Sequence, residues 1–183
     1  AGIVGENAAR IAKGMGSRVL IFDKSVEKLK IIKKKITGIE IGGSQQMDME
    51  TAALEADLLI GAVLVPGAKA PKLIKQSTVE RMKGGSVIVD VAVDQGGCVE
   101  TSVITSHENP VVKRFSILHY GVPNMPGAVP VTATRALVNA TTVYIQNLAD
   151  LGFDDCIKKF PEMKGALNCF KGEIMLAALK NIL

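Results

Sequence analysis

Short apolar runs alternate with stretches of helical periodicity over the first two thirds of the chain. Asn7–Met15 (NAARIAKGM) has helical spacing, and Arg18–Phe22 (RVLIF) reads as a buried strand ending at Asp23. Ser25 is placed to cap the lysine-rich helix that follows, with Glu27 favourably in its first turn. A weaker strand is expected around Gly38–Ile41, then a helix from about Asp48 to Ala56. Asp57–Val63 (DLLIGAV) and Ser86–Val91 (SVIVDV) read as strands, and Ser77 and Glu80 have capping-box spacing for a short helix between them. Phe115–Tyr120 (FSILHY) closes the run. Strands this apolar are buried on both faces, as in a parallel sheet wrapped by helices. The expected fold class is α/β: Rossmann-like, doubly wound and mostly parallel.

After Gly121 the pattern changes. Val122–Pro130 (VPNMPGAVP) is too rich in Pro and Gly for regular structure. Thr132–Leu151 then has a long helical pattern with no further strand, and shorter helices are expected near Asp154–Phe160 and Glu173–Ile182. The expected division is a Rossmann-like domain over 1–130 and a helical appendage over 131–183.

Composition narrows the class. Hydrophobic residues are 48% and charged residues 22% of the 183, the balance of a globular protein rather than a disordered one. No apolar run approaches the ~20 residues of a membrane span, and no secretion signal is evident. The formal charge is +4, and the densest basic run (Lys28, Lys30, Lys33, Lys34, Lys35) lacks interleaved aromatics. It therefore reads as a solvated helix face rather than a nucleic-acid surface. Cys98, Cys156 and Cys169 have no metal-ligand spacing, so no metal site is expected, and they read as reduced thiols of a cytoplasmic protein.

Eighteen glycines are about a tenth of the chain, and the opening Ala1-Gly2-Ile3-Val4-Gly5 uses two of them. Gly2 and Gly5 are spaced as the second and third glycines of a Gly-x-Gly-x-x-Gly turn, where backbone approaches a pyrophosphate and helix packs on strand. Ala8, Ala9 and Ala12 supply a small helix face, and the helix N-terminus supplies free N–H donors and a positive dipole end. Asp23 falls 21 residues after Gly2, at the strand end where a carboxylate binds adenosine ribose hydroxyls and repels a 2′-phosphate. That favours NAD over NADP; the alternative is a plain glycine turn.

Three further segments are distinctive: Ala56–Ile74 (ADLLIGAVLVPGAKAPKLI), Ser86–Thr101 (SVIVDVAVDQGGCVET) and His119–Thr134 (HYGVPNMPGAVPVTAT). With the opening they closely resemble the alanine dehydrogenase and nicotinamide nucleotide transhydrogenase family, the dehydrogenase branch more than the transhydrogenase NAD-binding subunit. The resemblance implies NAD-dependent interconversion of L-alanine with pyruvate and ammonia. It covers essentially the whole chain but only the later half of the family's protein. Carried over by position, Asp94 resembles the active-site aspartate beside the nicotinamide, with Gln95 its neighbour on the same loop. Asn124 and Met125 match the pair at the nicotinamide end. Val63 and Leu64 resemble the loop flanking adenosine and ribose, Lys28 a basic residue near the adenosine, and Ser44 a looser match. Asp94 and Asn124 each follow the carboxyl end of a strand, where open α/β sheets bind ligands.

Read without the resemblance, Asp94 and Asn124 are equally consistent with turn chemistry, His119 with a satisfied core histidine, and Lys69 and Lys72 with surface charges. His119-Tyr-Gly-Val-Pro-Asn also departs from the family's usual His-Tyr-Cys-Val-Ala-Asn, with Gly121 loosening the strand end and Pro123 stiffening the approach to Asn124. The residues that clamp and activate alanine belong to the family's upstream part, as does the first Rossmann strand. The expectation is therefore a sheet lacking that strand, with bare interior edges, exposed apolar helices and self-association as a homo-oligomer. A separate N-terminal chain could fill the slot. L-alanine or pyruvate would bind only with the substrate domain. The other readings are a nucleotide-binding module or inactive remnant acting through assembly, and a transhydrogenase-like NAD-binding subunit.

Overall fold

In the computed structural model, residues 1–43, 46–65 and 67–180 are described. Ala1–Val65 with Lys69–Pro123 form one compact unit, and the chain from Asn124 onward forms a second with Gly67 and Ala68.

The first unit opens with helix α1 (Ile3–Gly14), which starts earlier than its alanine-rich pattern because Gly2 serves as its N-cap. Strand β1 (Leu20–Ile21) pairs in parallel with β2 (Glu40–Ile41). Between them, helix α2 (Val26–Lys35) is capped as expected, with the Lys28 N–H donating to Ser25 Oγ at 3.3 Å. Leu29 and Ile32 point into the interior, and the lysines face solvent. Ala9, Ile21, Leu29, Ile32, Ile36 and Ile39 form a small core around this two-stranded sheet.

Helix α3 (Gln46–Glu55) leads to strand β3 (Leu58–Gly61), and a short helix α4 (Gln76–Val79) precedes β4 (Val87–Asp90). β5 (Val111–Arg114) and β6 (Ile117–Tyr120) complete a four-stranded sheet of order β3-β4-β6-β5. β3, β4 and β6 run parallel, with Leu58 opposite Val87 and Val87 opposite Leu118. A second, larger core lies on this sheet, centred on Ile74, Val79, Ile88, Val99 and Ile117. The mostly parallel α/β architecture thus stands. Among the described residues β1 pairs only with β2, so the sheet is split between β1 and β3. One paired edge explains why β1 is two residues rather than five, with Leu20 left 38% exposed. Along the bare edge of β3, Leu58 and Ile60 meet Ile3, Ile11 and Met15 of α1 in an open apolar cleft of about 590 Å³.

Several local expectations need correction. Ser77 does not cap α4: Lys75 is the N-cap, and the Gln76 N–H is taken instead by Glu100 Oε2 at 2.8 Å. Phe115 and Ser116 are not strand but the turn of an antiparallel β5–β6 hairpin, both at positive φ (52° and 62°). Within 122–130, Met125–Ala128 forms a 3-10 turn.

In the second unit, helix α5 (Pro130–Lys159) absorbs the expected Asp154–Phe160 helix across a break at Gly152 (φ 71°, ψ 178°). The expectation of no further strand fails, because β7 (Cys169–Phe170) and β8 (Glu173–Ile174) form a small hairpin. Its turn residues Lys171 and Gly172 both take the positive φ such two-residue turns require. Helix α6 (Ala177–Lys180) lies inside the expected Glu173–Ile182 helix, whose Ile182 lies outside the described residues. Phe153 stacks on Phe170 with ring centroids 4.2 Å apart, while Leu137, Val138, Ile145 and Leu148 of α5 remain exposed.

Candidate functional site

A helix leaves its first N–H groups without intrahelical acceptors, and a side chain at the N-cap ordinarily takes one of them. At α1 the first intrahelical bond is Glu6 N–H to the Gly2 carbonyl at 2.8 Å, and Gly2 has no side chain to offer the N–H groups before it. A Cβ at Gly2 or at Gly5 would meet nothing within 4 Å, so backbone donors stand open to an approaching anion. Glu6 lies in the same first turn. Its carboxylate is drawn aside by Lys35 Nζ at 3.2 Å and Arg10 Nη2 at 2.9 Å, which together hold its carboxyl below the usual range.

Asp23 stands beside this turn, just beyond β1. Burial opposes its ionisation, but the Ser25 N–H (2.8 Å to Oδ1) and the Ala1 amino group (3.0 Å from Oδ2) prevail and hold its carboxyl low. The Ala1 amino group also donates to the Phe22 carbonyl at 3.3 Å, bringing the turn against the end of β1. Lys28 is exposed on the first turn of α2 and adds a favourable charge toward Asp23. Gly2, Gly5, Asp23 and Lys28 are thus brought together. The donor set, open glycine backbone and ionised acceptor fit a dinucleotide's pyrophosphate and ribose.

Beyond β3, Val63 is half-buried against the larger core while Leu64 is 72% exposed. Beyond β4, Val93–Gln95 forms a single 3-10 turn that leaves Asp94 exposed. Gln95 is half-buried, and its Oε1 is itself buried with no hydrogen-bond partner among the described residues. Both loops leave the carboxyl ends of parallel strands. Asn124 and Met125 belong to the second unit. Asn124 is exposed at φ 50°, ψ 50°, and its carbonyl accepts from the Gly127 N–H at 2.8 Å. Ser44 lies outside the described residues.

His119 is a core histidine. It is 1% exposed, with Nδ1 3.2 Å from the Ile117 carbonyl and Nε2 2.7 Å from Thr101 Oγ1. A carbonyl only accepts, so Nδ1 carries the proton and the Thr101 hydroxyl donates to Nε2. Lys72 is a tie rather than a base, donating to the Gly96 carbonyl at 2.6 Å and the Val99 carbonyl at 3.3 Å. Among the described residues no cluster of three His, Cys, Asp or Glu could hold a metal ion, and no helix is long and apolar enough to cross a membrane.

Sequence reasoning passed over Asp90, the last residue of β4 and 1% exposed. Its carboxylate accepts from the N–H groups of Cys98 (2.8 Å), Val99 (3.1 Å) and Ala92 (3.1 Å), and from Ser102 Oγ (2.6 Å). The signal was available: a carboxylate closing an otherwise apolar strand must find donors nearby, and glycine-rich backbone followed it. Burial and the Asp90 charge push the neighbouring Cys98 thiol up to about 12.

Residues 1–177 match the model of the family described as "Alanine dehydrogenase/PNT, C-terminal domain". The chain is 46% identical over 180 residues to an alanine dehydrogenase of Mycolicibacterium smegmatis, covering 98% of this chain and 48% of that protein. An alanine dehydrogenase of Methanococcus maripaludis is 44% identical over 183 residues, with 97% and 48% covered. The chain therefore spans about half the length of the curated relatives it matches. A solved L-alanine dehydrogenase superposes with a TM-score of 0.86 at 48% identity, over 99% of this chain and 50% of that one. A transhydrogenase from Sinorhizobium meliloti shares the fold, with a TM-score of 0.71 at 24% identity over 82% of this chain and 43% of that one. With a family model matched over 1–177 and a solved L-alanine dehydrogenase superposing on almost the whole chain, the chain belongs to the alanine dehydrogenase/PNT C-terminal domain family.

Proposed function

We propose that this chain is the NAD(H)-binding portion of an alanine dehydrogenase, which converts L-alanine, NAD⁺ and water to pyruvate, ammonia and NADH. The observation that carries the reading is the open, glycine-capped N-terminus of α1 set against the ionised Asp23. The free N–H groups at Ile3, Val4 and Gly5 hold the pyrophosphate, with Gly2 giving it close approach. Asp23 accepts from the adenosine ribose hydroxyls, and Lys28, Val63 and Leu64 flank the adenosine. When bound, NAD⁺ supplies the hydride acceptor. Asp94, exposed on its turn, orients substrate amine or water and stabilises the positive charge of an imine. By the resemblance, Gln95 is assigned to the loop beside the nicotinamide, and Asn124 and Met125 to its carboxamide end, which the donor and acceptor of Asn124 match.

The division of roles is a dinucleotide domain over 1–130 and a helical segment over 131–183 that packs on a substrate domain. The exposed apolar face of α5 supports that packing. Substrate L-alanine is clamped by residues outside this chain, so alone it lacks alanine-dependent NADH production. A cytoplasmic setting accords with the free state of Cys98, Cys156 and Cys169. The bare edge of β3 and its apolar cleft also favour a second reading, a nucleotide-binding module or remnant completed by assembly as a homo-oligomer or with a separate N-terminal chain.

Titration of the 183-residue chain with NADH, followed by nicotinamide fluorescence, tests the first reading. Saturable binding that weakens in Asp23→Ala is expected. An absence of saturation would overturn it in favour of the remnant, and alanine-dependent turnover by this chain alone would refute its inactivity.

A further inference from the structure

The dinucleotide reading leaves Asp90 without a role, although it is the most heavily hydrogen-bonded carboxylate around the Asp94 turn. We propose that Asp90 is a positioning residue: it wraps the 91–102 loop around its carboxylate and so fixes Asp94 and Gln95 in the arrangement that receives NAD(H). The inference rests on the NAD(H)-binding reading above.

Four observations support it. All of the donors to Asp90 come from the loop it precedes: the Ala92 N–H on one side of the Asp94 turn, and the Cys98 N–H, Cys98 Sγ–H (3.5 Å), Val99 N–H and Ser102 hydroxyl on the other. The two candidate ligand residues therefore lie on the arc between the anchor points, and the buried carboxylate is screened from any ligand by that arc. Gly97 sits at φ 74°, and a Cβ there would come within 2.8 Å of Asp90 Oδ2, so the loop closes on the carboxylate only through glycine. A Cβ at Gly61 would likewise overlap Cys98 Sγ, which seats β3 against the same cluster. The outer side of the arc is tied as well: the Ala70 N–H donates to the Gln95 carbonyl (2.8 Å), the Leu73 N–H to the Cys98 carbonyl (2.7 Å), and Lys72 to Gly96 and Val99. The arc is clamped from both sides, and Asp90 is the inner clamp. Outer partners of metal ligands, a well-measured case of such support, change affinity by about ten- to a hundredfold when removed, and the same scale is expected here.

The test is Asp90→Asn in the 183-residue chain. The amide keeps the shape but places an N–H₂ against backbone donors. Amide hydrogen exchange at Cys98 and Val99 should accelerate at least about tenfold while Ile88 and Val89 of β4 are unchanged. NADH affinity should fall about tenfold or more. A double-mutant cycle with Asp94→Asn adds a readout that a merely structural role would not move: Asp94→Asn should cost less affinity in the Asp90→Asn background than in the unaltered chain. If Asp90→Asn does not fold, Ser102→Ala removes one donor without touching backbone and should weaken NADH binding by about two- to tenfold.

Saturable NADH binding by the unaltered chain with unchanged affinity in the variant would overturn the positioning role alone, as would strict additivity in the cycle. No saturable binding by the unaltered chain would overturn the dinucleotide reading, and this role with it, whatever the exchange rates show.

Discussion

Gly121 follows β6 at a point where the neighbouring backbone leaves no room for a side chain. As a glycine at the end of β6, in place of the family's usual Cys, it was expected to loosen the strand. The structure instead makes it a point of close approach: a Cβ there would overlap the Val103 carbonyl oxygen and come within 3.3 Å of Val93 Cγ2. The Gly121 carbonyl accepts from the Thr105 N–H at 2.9 Å, so the two segments cannot simply separate. Backbone yields less readily than a side-chain tip. Forcing a methyl into a packed site costs about 1–3 kcal/mol. Replacing glycine also stiffens the unfolded chain, which returns about 0.4–1 kcal/mol where the backbone tolerates it. The net expectation for Gly121→Ala is a loss of about 1–2 kcal/mol. At about 2–4 °C per kcal/mol for a chain of this size, the melting temperature falls by about 2–8 °C. Gly121→Cys, with its larger side chain, should fall further. Thermal melting by circular dichroism, paired with urea titration to check that the slope is unchanged, measures both. Melting temperatures for Gly121→Ala and Gly121→Cys at or above that of the unaltered chain would refute the close-approach argument.

Two further outcomes follow from buried titratable groups. With its thiol pushed up to about 12, Cys98 is about 10⁻⁴ thiolate at pH 8, against about a quarter for an ordinary thiol. A chromophoric disulfide reagent at that pH should therefore label exposed Cys169 rapidly and Cys98 only after unfolding, and equal rates would contradict the burial. At His119, burial, with a smaller contribution from Arg114, lowers the imidazole below its ordinary value against the opposing Ile117 carbonyl. The folded state prefers the neutral ring, so this contribution to stability is complete above about pH 6.5 and is lost as pH falls through the lowered value. Melting curves between pH 7.5 and 5 should show that loss, and His119→Asn should flatten it; an equally steep profile in the variant would count against the assignment.

The elements that the sequence made legible are those whose signals are local. Ser25 and Glu27 announced α2 and its cap, and the apolar runs located every parallel strand. Strand lengths were not legible, because they depend on partners: Arg18–Phe22 has a five-residue strand pattern, yet only Leu20 and Ile21 pair. The β5–β6 hairpin was hidden because its turn is Phe115-Ser116 rather than Asn-Gly; both exposed residues take positive φ, and the Ser116 carbonyl accepts from the Gly85 N–H at 2.9 Å. Ser77 looked like a cap until Glu100, distant in sequence, took the Gln76 N–H. At the site, glycine spacing and the interval to Asp23 were readable. The convergence of Cys98, Val99 and Ser102 on Asp90 was not, since it arises only when the loop closes.

The split between β1 and β3 also divides the first unit thermodynamically. The glycine turn and Asp23 belong with the smaller core, whose buried apolar side chains are few, while the Asp94 arc rests on the larger one. Local opening free energies follow that division, and the α1–β1–α2 segment is the half that opens at lower cost. A ligand bound by the Gly2–Asp23 turn binds only the closed form of that half. Its occupancy is thus tied by mass action to folding of the weaker core, and part of its intrinsic affinity is consumed in keeping that core closed.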